Sequence, residues 1–117
     1  MESNSGLFEI LAKIKSKPGM YIGHSSVSDL FVFLAGYKTA RRELGVNPTE
    51  RELVFYEGLH GFVQNCYQVH SSKSWAKIIM LYGSDERQGF DRFFELLEKF
   101  ETSSANSQKV GSNLVES

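Results

Sequence analysis

Ser74-Trp75-Ala76-Lys77-Ile78-Ile79-Met80-Leu81-Tyr82 is apolar around nearly its whole circumference. Its length suits a short helix or a buried strand, and hydrophobic periodicity does not separate the two. The rest of the chain decides between them: no second strand-like run offers a pairing partner. The segment is expected to be a helix and the most buried part of the molecule. The fold class that follows is all-α, a single-domain bundle of about five helices.

Downstream of this segment, Gly83 ends the helix, and Ser84, Asp85 and Glu86 open the next one with anionic residues where the helix dipole favours them. Phe90, Phe93, Phe94, Leu97 and Phe100 recur at helical spacing and form its apolar face. After Glu101 the chain turns Ser-, Asn- and Gln-rich with little to bury. The expected division is therefore a helical domain over residues 1–101 and a disordered tail over 102–117.

Upstream, Asn47-Pro48-Thr49-Glu50 reads as a helix start, with an Asn cap, proline at the first helical position and Glu three residues after the cap. The helix it opens should reach about Val69, with Phe55, Leu59, Phe62, Val63 and Cys66 on its buried face. Gly58 and Gly61 cost about 1 kcal/mol each against alanine inside a helix. Close approach of a neighbouring helix accounts for them, and a kink is the alternative. Ser26 or Ser28 caps the preceding helix, which stops at Gly45. Leu30, Phe33, Leu34, Tyr37, Ala40 and Leu44 line one of its faces, while Phe31 and Val32 point away. Either its first half is buried all round, or those two side chains meet something outside the domain. The first helix carries Leu7, Ile10, Leu11 and Ile14, and Pro18 ends it. A tight Pro18-Gly19 turn follows, with Gly19 free to take positive φ and Met20, Tyr21 and Ile22 plugging the core beneath it.

The chain has 117 residues, 41% hydrophobic and 13% aromatic, which supports one core. A net charge of −1 gives no electrostatic reason to expect direct nucleic-acid binding. No apolar run approaches the roughly 18–20 residues of a membrane span. The N-terminal residues Met1-Glu2-Ser3-Asn4-Ser5 lack the pattern of a signal peptide, and the single cysteine suits a reducing compartment. A cytosolic location is expected.

Candidate chemistry is sparse. His24, His60 and His70 do not pair at ligand spacings, and no second cysteine joins Cys66, so no metal site, cofactor or catalytic constellation is expected. Lys38, Arg41 and Arg42 form a small basic patch that reads as a solvated face. Asp91, Glu95 and Glu98 fall at spacings of four and three on the last helix, so their carboxylates share one stripe. That stripe is either a plain polar face or an acidic docking surface for a basic partner, with Asp85 and Glu86 as further candidates.

Two resemblances bear on function. Lys17-Pro18-Gly19-Met20-Tyr21-Ile22-Gly23 is similar to the run that opens the ATP-binding domain of type II topoisomerases. That site also needs a helix with Glu and Asn and an Asp-x-Gly-x-Gly turn. The following helix, Ser28 to Tyr37, supplies neither, so the run reads as a turn and not as a nucleotide site. The second resemblance joins four stretches in order. They are Lys17 to Gly23, then Leu30-x-x-Phe33-Leu34-x-Gly36-Tyr37, then Ser74 to Ile79, then Phe90-Asp91-x-Phe93-Phe94-Glu95-Leu96-Leu97. Together they resemble immunity proteins of bacterial contact-dependent growth inhibition and polymorphic toxin systems. The resemblance implies a non-enzymatic antitoxin that binds a cognate toxin domain, expected to be a basic nuclease. A small homodimeric regulator with Phe31 and Val32 as its seam, or a nucleotide-binding enzyme, are the alternatives.

Overall fold

A computed structural model describes residues 6–116, with side chains for residues 6–104. Among the described residues there are six helices and no strand: α1 (Leu7–Ser16), α2 (Pro18–Tyr21), α3 (Val27–Glu43), α4 (Glu50–Tyr67), α5 (Trp75–Leu81) and α6 (Glu86–Glu116). The all-α bundle is thus observed, with Trp75–Leu81 helical. No helix among the described residues is long and apolar enough to cross a membrane. Helix α6 continues past Glu101 with Thr102 and Ser103 exposed; the tail expected from residue 102 lies, from residue 105, outside the side chains described.

Each helix begins and ends for a local reason. Ser26, not Ser28, caps α3: its Oγ accepts from the Asp29 amide at 3.1 Å. The α3 end is a Schellman motif, with Val46 N–H on Arg41 O, Gly45 N–H on Arg42 O, and Gly45 at φ 78°. Thr49, not Asn47, caps α4. Thr49 and Glu52 form a reciprocal capping box that outcompetes the Asn47-Pro48 signal two residues earlier. At the other end Gln68 takes the left-handed conformation usually left to glycine. Around Pro18 the chain does not make an isolated turn. Proline's fixed φ suits a first helical position, so α2 forms, closed by Ile22 N–H on Pro18 O at 2.8 Å. The positive φ falls on Gly23 rather than Gly19. Tyr21 and Ile22 pack against the core, whereas Met20 is 71% exposed and plugs nothing.

The core is centred on α6. Phe90, Phe93, Phe94, Leu96 and Phe100 are all buried, with Leu97 at the margin. Helix α5 contributes Ala76, Ile78 and Ile79, but Leu81 and Tyr82 are exposed, so the expectation that this is the most buried segment is corrected. An apolar circumference is necessary for full burial, and it does not guarantee neighbours on every side. Phe31 meets Trp75 edge-on at 5.2 Å inside the domain, while Val32 stays exposed. Ala40 and Leu44, expected on the apolar face of α3, are exposed as well. Cys66 is exposed, not buried. The inward face of α4 follows steps of four through Phe55, Leu59, Val63 and half-buried Tyr67, and Cys66 lies one step off that line.

Close approach explains Gly58 and not Gly61. A Cβ on Gly58 would sit 3.3 Å from the Phe100 ring, and one on Gly61 would meet nothing within 4 Å. A tighter crossing lies at Gly89 on α6, where a Cβ would lie 2.6 Å from Val27 Cγ1 and 3.2 Å from Met80 Sδ. Val27 is β-branched and fully buried, so it has little room to yield. Gly89→Ala is therefore expected to lose about 1–2 kcal/mol net, since overpacking outweighs the gain in helix propensity. Gly61→Ala is expected to gain about 0.5–1 kcal/mol. Urea titrations of the two variants check the pair; equal effects would dismiss the crossing at Gly89.

Candidate interaction surface

Two buried or half-buried carboxylates tie the helix starts together, and they define which acids are left for a partner. Glu52, only 2% exposed, accepts from the Leu7 amide at 2.9 Å, the Thr49 amide at 3.0 Å and Arg41 Nη1 at 3.0 Å. It caps α1 and α4 at once. Burial raises its pKa, but the two amides and the guanidinium more than offset this and hold it below the usual glutamate value. Glu86, the first residue of α6, reaches across to the start of α3. Its Oε1 accepts from Ser26 Oγ at 3.0 Å and the Ser28 amide at 2.9 Å, and its Oε2 from Ser28 Oγ at 2.7 Å. The Ser28 amide is the main reason its pKa is lowered. Asp85 accepts from the Gln88 amide at 2.8 Å and caps α6. Asp85 and Glu86 are thus engaged in holding helix ends, Glu86 with both oxygens.

Asp91, Glu95 and Glu98 are placed differently. All three are exposed on the side of α6 away from its buried phenylalanines. Glu95 accepts from Arg92 Nη1 at 3.0 Å, one turn away. Glu98 borders a groove of about 360 Å³ between α1 and α6, with Phe8, Leu11, Phe94 and Leu97 in its walls and Lys15 and Arg51 beside it. Glu101, which flanks the stripe, is paired with Arg51, whose guanidinium lies 3.7 Å over the Phe8 ring. The structure therefore brings Asp91, Glu95 and Glu98 onto one outward face and separates them from Asp85 and Glu86.

The basic patch does not survive as three solvated charges. Arg41 turns inward to Glu52 and lies over Tyr37 at 5.2 Å, and Lys38 lies over Tyr56 at 4.6 Å. Arg42 remains exposed beside a cavity of about 290 Å³ between the end of α3 and the start of α4. His24 Nε2 sits 2.6 Å from Asp29 Oδ2, and His60 Nε2 is 3.3 Å from Ser71 O. Among the described residues, no three His, Cys, Asp or Glu side chains are grouped to hold a metal ion.

Sequence reasoning missed Glu52 and the stacking of half-buried Tyr67 on exposed Tyr82. The capping-box spacing from Thr49 to Glu52 was a readable signal for the first. The second, Tyr67 stacked on Tyr82 with centroids 4.8 Å apart, joins residues fifteen positions apart and had no local signal. Compared with protein-family models, curated proteins and solved structures, the chain gives no match.

Proposed function

We propose that this chain is an immunity-type binding protein that neutralises a cognate toxin domain in the cytosol, using the α6 face of Asp91, Glu95 and Glu98. The observation that carries the reading is the exposure of these three carboxylates together on a helix whose opposite face is locked into the core. A rigid element presents charges at low ordering cost, which favours tight binding. A nuclease toxin must hold phosphates and so offers a basic surface; an acidic stripe steers encounter with it and competes with its nucleic acid. The four-stretch resemblance supports the same reading.

The test uses the polypeptide encoded immediately upstream, co-expressed with this chain. Protection from its toxicity is the expected result. The Asp91→Lys, Glu95→Lys, Glu98→Lys triple variant should keep its circular dichroism and slow association at low salt by about tenfold or more. If no neighbouring effector is neutralised, the reading fails. If protection survives the triple reversal, the role stands and this face is the wrong one.

A further inference from the structure

Helices α3 and α4 follow one another in the chain, yet both pack on α5 and α6 and leave two cavities between themselves. One is the 290 Å³ cavity at the α3–α4 connection. The other, of about 210 Å³, lies further from the connection. Phe31 and Leu34 of α3, Tyr56 and Leu59 of α4 and Trp75 of α5 are in its walls. Lys38 and Tyr56 line both cavities, and Lys38 Nζ stands over the Tyr56 ring at 4.6 Å where the two meet.

Charge separates the two cavities. The larger has both signs in its walls: Arg41 and Glu52, paired at 3.0 Å, and Arg42 and Glu57 besides. It selects neither. In the smaller one Lys38 is the only Lys, Arg, Asp or Glu among the lining residues. An ammonium has three donors, so Lys38 can keep the Tyr56 ring and still hold a carboxylate. The remaining walls are mostly apolar. Phe31 and Trp75 meet edge-on at 5.2 Å, and Leu34 and Leu59 are buried. Aromatic walls favour a ring over an alkyl chain of equal area, because ring pairs attract beyond the area they bury. An apolar cavity of about 150 Å³ is enough to bind benzene. The smaller cavity therefore has room for a phenyl ring with a short acid arm.

We propose that this pocket binds a small aromatic carboxylate, with the ring against the apolar walls and the carboxylate on Lys38. Helix α6 lends none of the lining residues, so the site goes beyond the toxin-binding reading and does not depend on it.

Trp75 is the only tryptophan in the chain, so intrinsic fluorescence reads this pocket directly. The full chain is titrated with phenylacetate, with phenylacetamide as the neutral analogue and phenethylammonium as the cationic one. Phenylacetate should saturate with a Kd of about 1 mM or below. Phenylacetamide should bind about fivefold more weakly, and the cation more weakly still. Amide chemical shifts of the isotope-labelled chain should centre on Ala35, Lys38, Tyr56 and Trp75. Lys38→Met should bind the acid and the amide equally. Ala35→Phe, which fills the pocket from an exposed position, should abolish binding with unchanged circular dichroism. Equal affinity for acid and amide in the parent, or a preference that survives Lys38→Met, would overturn the proposal. So would shifts centred on the α1–α6 groove or the larger cavity, or no saturation below about 10 mM. An equal response to acetate would reduce the effect to a charge on a surface lysine and overturn it too. The Asp91→Lys, Glu95→Lys, Glu98→Lys variant should bind phenylacetate as the parent does; loss of binding there would place the ligand on α6 instead.

Discussion

Glu52→Ala is expected to cost about 3 kcal/mol of unfolding free energy, the sharpest loss available from one polar side chain in this protein. The variant orphans the Leu7 and Thr49 amides and leaves Arg41 without its carboxylate. Removing one partner of a buried pair costs about 3–5 kcal/mol. The Arg41 side chain is 19% exposed and can recover some hydration, which places the estimate at the lower end. Glu52→Gln keeps an acceptor oxygen and should lose about 1–2 kcal/mol. Denaturant midpoints at neutral pH check both, and a loss below about 0.5 kcal/mol for alanine would show that Glu52 does not hold α1 to α4. The pH dependence follows from the sign of the shift. The folded pKa of Glu52 is depressed, so its contribution is fully present above the ordinary value near 4.5 and disappears as pH falls through the folded value. The acid limb of the stability curve should therefore be shallower in Glu52→Gln than in the parent. Glu86, also depressed, keeps part of that slope in both.

Phe93→Ala should cost about 3–5 kcal/mol, the range for emptying a buried aromatic site. Phe93 is 1% exposed, stacks on Trp75 at 4.9 Å and meets Phe94 edge-on at 5.0 Å. It joins α6 to α5, and Trp75 in turn meets Phe31 on α3. Trp75→Ala should lose a comparable amount by removing both aromatic partners at once. Losses below about 1 kcal/mol at both positions in denaturant titrations would remove α5 and α6 from the centre of the core.

What the chain alone determined was local or periodic. Helical spacing located α1, α3, α4 and α6, and the missing strand partner resolved α5 as a helix. Spacing also placed Asp91, Glu95 and Glu98 on one stripe, because an α-helix converts sequence separation directly into angular position. Tertiary structure alone decided which side of an all-apolar segment meets neighbours, as the exposed Leu81 and Tyr82 show against the buried Ile78 and Ile79. It decided that Glu52 and Glu86 face inward, since a carboxylate is buried only where distant amides and hydroxyls converge on it, here from positions 45 and 58 to 60 residues away. It also decided the role of Gly89 and the stacking of Tyr67 on Tyr82, because close packing depends on the crossing of helices and no local pattern encodes where two of them cross.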